Sequence, residues 1–189
     1  FMDKDKQDLI NRAVKNDKNA LIKLIKQEQN NIYSTLYYLK KDENDISDIM
    51  QDILIKLSKK ISNLKNPNNF KSWLNQIIIN SYYDYLRKNK KNAQSINLSS
   101  NDDGQDYDIA DFDSNPQDKL IKRELDLIIK NSIQNLPLHY KIPITLREIQ
   151  GLTYDEISNI TNTSIGTVKS RIARARNIIR DDINKYSRS

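Results

Sequence analysis

Residues 153–176 read Thr153-Tyr-Asp-Glu-Ile-Ser-Asn-Ile-Thr-Asn-Thr-Ser-Ile-Gly-Thr-Val-Lys-Ser-Arg-Ile-Ala-Arg-Ala-Arg176. The spacing predicts two short helices joined by a tight turn. Thr153 can cap the first helix, and Glu156 three residues on completes a capping box. Ile157 and Ile160 give that helix its buried side. Asn162 falls at the turn, where a left-handed backbone is needed; Asn tolerates it better than most residues other than Gly. Ser164 can cap the second helix. Val168, Ile172, Ala175 and Ile179 recur at spacings of four, three and four, so one face packs inward. Ser164, Thr167, Lys169, Ser170, Arg171, Arg174 and Arg176 are left to face outward. This is the layout of a helix-turn-helix, which lays one helix in the major groove of DNA. The same pattern also suits an ordinary helical hairpin with a solvated basic face.

Outward from this segment, composition sets the class. The chain has 189 residues, with 37% hydrophobic and 30% charged residues. That length fits one medium domain or two small ones. A net charge of +6 and a pI near 9.3 favour a polyanionic partner such as DNA, RNA or a membrane surface. Lys, Asn and Ile are abundant throughout, as an AT-rich genome would produce, so the placement of charge says more than its total. There is no cysteine, hence no disulfide framework and no thiolate zinc site. No apolar run approaches the roughly 18 residues of a membrane span, and no signal-peptide pattern is read at the N-terminus; a cytoplasmic location is expected. With three Gly, four Pro and no sustained alternation, the chain is expected to be all-α.

The apolar spacing predicts four helices before the middle of the chain. The first runs from about Asp3 to Lys15, with Leu9, Ile10 and Val14 on one side. Asp17 can cap a second that reaches about Lys40, through Leu21, Leu24, Ile25, Ile32, Leu36 and Leu39. Asp45 opens a third, in which Ile46, Ile49, Met50, Ile53, Leu54, Leu57 and Ile61 follow the helical period. Asn66-Pro67-Asn68-Asn69 breaks the chain. The fourth runs from Phe70 to about Lys90, with a stripe of Trp73, Leu74, Ile77, Ile78, Tyr82, Tyr85 and Leu86.

Composition then changes sharply. From Asn92 to Asp118 there are seven Asp and no Lys or Arg, which reads as a flexible acidic linker. Just before it, Arg87-Lys-Asn-Lys-Lys91 packs four positive charges into five residues. Like charges at that density repel, so a counter-charged partner would stabilise them; cations also suit the negative end of a helix dipole without any partner. Beyond Pro116, Leu120, Ile121, Leu125, Ile128, Ile129 and Ile133 mark another helix. Leu136-Pro137 starts one more, which runs to about Gln150 and is ended by Gly151. The expected layout is a four-helix domain over residues 2–91, a linker over 92–117 and a second four-helix domain over 118–187.

Three segments of this layout carry a family resemblance. They are Asp45-Ile-Ser-Asp-Ile-Met-Gln-Asp-Ile-Leu-Ile-Lys-Leu57, then Phe70-Lys-Ser-Trp-Leu-Asn-Gln-Ile-Ile-Ile-Asn80 with Asp84 and Arg87, then Leu136-Pro137 followed by residues 146–176. In this order the chain resembles the extracytoplasmic-function sigma factors of bacterial RNA polymerase, from about Asp8 to Ile183. Ser158, Thr161 and Asn162 depart from the Ala, Leu and Gly that family members often carry there.

The resemblance implies a role for each segment. The outer face of the third helix, Asp48, Gln51, Asp52, Ile55 and Lys56, would bind core RNA polymerase as a greasy centre with a charged rim. The loop before the fourth helix and the helix itself would hold the minus-ten element as a melted single strand. Asn66, Asn68 and Asn69 offer donors and acceptors to a flipped base. Asn80 matches the family's promoter-contacting Asn, and Lys71, Arg87, Lys88, Lys90 and Lys91 would hold phosphates. Asp84 belongs to the same segment. Tyr83 lies off the main stripe and suits either a base or the protein, whereas Trp73 on the stripe reads as core. The last helix would read the minus-thirty-five element as duplex, with Arg171 or Arg174 on guanine edges and Lys169 or Arg176 on phosphates. The linker is either a tether or a mimic of nucleic-acid charge. An anti-sigma protein is the further partner the resemblance implies.

No catalytic constellation, metal-ligand spacing or cofactor motif is read. His139 is the only histidine and is expected on a helix surface. No small-molecule substrate and no embedding in a membrane are expected. The rival reading is a helix-turn-helix regulator that binds two half-sites as a dimer without joining polymerase. The second basic zone and the 70–80 segment argue against it.

Overall fold

The computed structural model describes residues 4–40, 42–95 and 116–186, with backbone alone at 91–95 and 116–123. The described residues form helices α1 (Lys4–Val14), α2 (Lys18–Leu39), α3 (Glu43–Lys60), α4 (Phe70–Ser95), α5 (Pro116–Asn135), α6 (Leu138–Ile144), α7 (Tyr154–Thr161) and α8 (Ile165–Tyr186), and no strand is present among them. The all-α expectation holds. Two compact units divide the chain: residues up to Leu36 together with Asn44 to the end of α4, and Tyr37–Glu43 together with α5–α8.

In the first unit, the helix starts follow local chemistry. Asn16 takes a positive φ of 67° after α1, and the Asp17 carboxylate then accepts from the backbone N–H groups of Asn19 (2.9 Å) and Ala20 (3.1 Å). These orphan donors at the start of α2 are thereby satisfied. The core gathers Leu9, Ile10 and Ala13 from α1, Leu24, Ile32 and Leu36 from α2, Ile46, Ile49, Ile53 and Leu57 from α3, and Phe70, Leu74, Ile78 and Tyr82 from α4. Ala13, not Val14, completes the α1 face, because Val14 lies one position off the buried stripe. Glu28, which no apolar pattern marks, is buried on α2 and takes Lys6 at 2.5 Å. Two short 3₁₀ turns, Ile61–Asn63 and Pro67–Asn69, link α3 to α4 and pack against α1.

Helix α4 extends to Ser95, into the stretch assigned to the linker, and α5 starts at Pro116. The rest of that linker, residues 96–115, lies outside the described residues. In the second unit α8 packs on α5, α6 and α7. Leu125, expected on the buried face of α5, is 41% exposed, while Ser132, Ile133 and Gln134 are buried. The Gln134 amide is satisfied by the backbone carbonyls of Tyr37 (2.6 Å) and Lys40 (2.9 Å) within the same unit.

The helix expected from Leu136 to Gln150 is not uniform. It is α-helical to Ile144 and then widens into a π turn over Thr145–Ile149. Pro143 lies inside α6 and lacks an N–H, which removes one bond from the ladder just before the widening. Gly151 closes the segment with φ 63°, a conformation that costs a residue with a Cβ.

Candidate nucleic-acid interface

The helix-turn-helix is built by caps and a hydroxyl-pinned turn. Thr153 Oγ1 accepts from the Glu156 N–H (3.3 Å), and the Glu156 carboxylate accepts from the Thr153 N–H (2.8 Å) and hydroxyl (2.9 Å). The capping box is therefore complete. Asn162 is left-handed at φ 50°, ψ 47°. The three departures from the usual family residues act together here. The Ser158 hydroxyl donates to the Thr163 carbonyl at 2.5 Å, and the Thr161 hydroxyl donates to the Ile157 carbonyl at 2.8 Å. A polar Thr161 thus closes on its own helix rather than loosening the core. Ser164 Oγ accepts from the Thr167 N–H at 3.2 Å and caps α8. Val168, Ile172 and Ala175 are buried and Ile179 is half-buried.

The outward face of α8 carries the expected side chains, but they differ in freedom. Ser164, Lys169, Ser170, Arg174 and Arg176 are exposed, and Thr167 and Arg171 are half-exposed. Arg176 donates from Nη2 (2.6 Å) and Nε (3.0 Å) to Glu148 in the π turn. Arg174 makes only a long contact, 3.5 Å, to the Tyr140 hydroxyl. Lys169 Nζ lies 5.6 Å from the centroid of the Tyr154 ring, and the Arg147 guanidinium lies 4.8 Å from the same ring. Arg147 is anchored by donating to the Leu152 carbonyl at 2.7 Å. Arg147, Glu148 and Tyr154 belong to this surface although the helical spacing of α8 does not reach them. His139 is exposed, and its ring lies tilted at 53° against that of Tyr140 with centroids 4.0 Å apart.

The first unit presents a second basic face on α4. Asn80, Arg87, Lys88 and Lys90 are exposed and Tyr83 is half-exposed; the Lys91 side chain lies outside the described residues. Asn80 Oδ1 accepts from Gln76 Nε2 at 3.2 Å. Asn66, Asn68, Asn69 and Lys71 are exposed around the 3₁₀ turn. There the Asn66 side chain accepts from the Asn68 N–H at 3.0 Å, so its carbonyl oxygen caps the turn. Trp73 is half-buried with its ring 6.0 Å from that of Phe70.

Helix α3 exposes Asp48, Gln51, Asp52 and Ile55, the last at 51%. Lys56, grouped with that face from the sequence, reaches toward α4. Its Nζ donates to Ser81 Oγ (2.9 Å) and to Asp84 Oδ2 (3.1 Å). Arg87 donates to the other oxygen of Asp84. The Arg87 and then the Lys56 hydrogen bonds hold the Asp84 carboxyl below the usual carboxylate range.

Comparisons with known proteins agree with this architecture. Residues 24–92 match the family described as Sigma-70 region 2, and residues 126–179 match Sigma-70, region 4. The chain is 34% identical over 182 residues to the ECF RNA polymerase sigma-E factor of Haemophilus influenzae, covering 94% of each. It is 29% identical to the ECF RNA polymerase sigma-E factor of Escherichia coli K12, covering 96% of each. Among solved structures, the complex of the sigma factor RpoE with the anti-sigma factor NepR from Bartonella quintana matches with a TM-score of 0.67 at 24% identity, over 84% of this chain and 96% of that one. The complex of CnrH with the cytosolic domain of CnrY matches with a TM-score of 0.64 at 18% identity, over 95% and 97%. These two structures bear on the fold.

Proposed function

This chain belongs to the extracytoplasmic-function sigma factors of bacterial RNA polymerase, and from that premise we propose how its parts divide the work. It is an alternative sigma factor that joins core RNA polymerase and directs initiation at particular promoters. The exposed Asp48, Gln51, Asp52 and Ile55 of α3 bind core polymerase, with Lys56 at the edge of that patch. Residues 2–91 form the domain that opens the promoter. Asn66, Asn68, Asn69, Asn80 and Tyr83 meet unstacked bases of the minus-ten strand, and Lys71, Arg87, Lys88, Lys90 and Lys91 meet its phosphates. Residues 118–187 form the domain that reads the minus-thirty-five element. Arg171 or Arg174 takes a guanine edge there, and Lys169 or Arg176 holds phosphate; Thr167 and Ser170 are further candidates to reach into the groove, and Ser164 lies at the start of the same helix.

The observation that supports this reading is that each unit carries one helix with an exposed basic face: α4 with its exposed Asn80 and cations, and α8 with its capped start and basic outer side. Two such faces suit one strand opened and one duplex held. No covalent step is required, and no catalytic role is assigned to any residue. Among the described residues no helix is long and apolar enough to cross a membrane, and the proposed work lies with polymerase in the cytoplasm. Control by an anti-sigma protein follows the sigma factor RpoE, whose structure is a complex with the anti-sigma factor NepR.

Run-off transcription with core RNA polymerase and a promoter library tests the proposal. The chain should direct discrete starts that core polymerase alone does not make, and should bind duplex DNA poorly by itself. Tight, symmetric binding to a palindrome without polymerase, and no run-off product, would instead identify a dimeric regulator.

A further inference from the structure

Asp84 is the only acidic residue in α4, a helix that also carries Lys71, Arg87, Lys88, Lys90 and Lys91. It falls four residues after Asn80, three before Arg87 and four before Lys88, so it shares their face. A carboxylate there repels the polyanion that the rest of the face attracts. Both of its oxygens are occupied: Oδ2 by Lys56 at 3.1 Å, and Oδ1 by Arg87. Lys56 is fixed further by Ser81, which is buried, at 2.9 Å. The bridge spans α3 and α4 within one unit. It leaves Lys88 and Lys90 as the free cations among the described side chains of the face.

We propose that Asp84 is a positioning residue that withholds Arg87 and Lys56 from nucleic-acid phosphates, and so restrains sequence-independent binding by this face. A phosphate that reaches Arg87 must displace a carboxylate already bound there. A strand held by phosphates alone does not overcome this. A strand held also through its bases by Asn66, Asn68 or Asn80 does. Asp84 therefore acts through its two cations and does not contact the strand, which separates it from the other residues of the segment. This inference rests on the reading of α4 as a strand-facing helix.

The test uses the full chain and a fluorescein-labelled single-stranded DNA of mixed sequence, with binding followed by anisotropy across a salt series. Asp84→Asn should tighten binding at least about threefold, and should steepen the dependence on salt by about 0.7 for each cation released. Asp84→Glu, which keeps the charge, should stay near wild type. Adding Arg87→Gln to Asp84→Asn should remove most of the gain, which a general loosening of the fold would not do. The bridge is partly exposed, so Asp84→Asn is expected to fold; a melting curve checks this. Unchanged or weaker binding by Asp84→Asn overturns the inference, as does a gain that survives Arg87→Gln. A Lys88→Gln/Lys90→Gln variant separates the two levels. If it weakens binding and Asp84→Asn does not tighten it, Asp84 alone has been misassigned. If it changes nothing, the strand-facing reading of α4 fails.

Discussion

Arg176 on α8 gives two N–H groups to a single oxygen of Glu148 in the π turn, at 2.6 and 3.0 Å. The pair ties the end of the exposed face to the element that precedes the helix-turn-helix. Both side chains are about half exposed, so the bridge itself contributes at most about 1 kcal/mol. Its larger expected effect is on the N–H groups that Arg176 could offer to the phosphates of the proposed duplex. Glu148→Gln should steepen the salt dependence of binding to a mixed-sequence duplex by up to about 0.9, with no gain in discrimination between sequences. A slope equal to wild type would show that Arg176 does not reach phosphate.

The turn of the helix-turn-helix makes a sharper stability prediction. Thr153→Ala removes a cap that closes in both directions and should cost about 1 kcal/mol in urea unfolding. Asn162 is left-handed. Asn162→Ala should therefore cost about 1 kcal/mol and Asn162→Gly should be close to neutral or stabilising. Equal losses for Ala and Gly would mean that the Asn side chain, not its backbone, holds the turn.

These two cases also mark what the sequence made legible. Caps, turn residues and apolar spacing are local, so the boundaries of α2, the capping box, the Asn162 turn and the α8 stripe were readable residue by residue. What escaped depends on partners far along the chain. Lys56 lies on the α3 surface by spacing, but Ser81 and Asp84 on α4 draw it across. Arg147 and Tyr154 join Lys169 only once α7 and α8 have packed. A π turn over Thr145–Ile149 replaced the later part of a uniform helix, a change of backbone hydrogen bonding that apolar periodicity does not register. Glu28 and Gln134 are buried with polar partners that no apolar pattern announces, Lys6 and Asn31 for the first and the Tyr37 and Lys40 carbonyls for the second.

The exposed face of α3 yields a direct test of polymerase docking. Ile55 is 51% exposed beside exposed Asp48, Gln51 and Asp52. Ile55→Glu and Asp52→Lys should each weaken holoenzyme assembly, with Ile55→Glu the stronger because it charges the centre of the patch. Neither should shift the melting curve appreciably, since both sites face solvent. Wild-type recovery of both variants with core polymerase in a pull-down would reject this face as the docking surface.

Acid should reach the first unit through Asp17. The Ala20 N–H first, and then Arg12, hold its carboxyl below the ordinary range. A depressed folded-state pKa means that the native state binds fewer protons than the unfolded chain. The contribution is therefore complete above the ordinary carboxylate pKa near 4, and it is lost as pH falls through the lower folded value. Asp17→Asn should keep a cap for α2 while flattening that part of the acid-unfolding curve. A wild-type curve below pH 4 would show that other carboxylates govern the transition.

Asn80 provides the test closest to function. Its side-chain oxygen accepts from Gln76, one turn earlier on α4, and the residue is exposed. The hydrogen bond engages the oxygen of the amide, so its N–H group is the end expected to meet an unstacked base. A donor in a fixed place favours an unstacked base over a stacked one, because only the unstacked base exposes its full edge. Asn80→Ala should therefore slow promoter opening more than it weakens the closed complex, on a promoter taken from the run-off screen. Gln76→Ala should act in the same direction but less, since it removes the orientation and leaves the donor. Permanganate reactivity of the opened strand reads the first effect, and duplex binding under conditions that keep the promoter closed reads the second. Equal losses in both measurements would make Asn80 a simple affinity contact, and wild-type reactivity would remove it from the opening step.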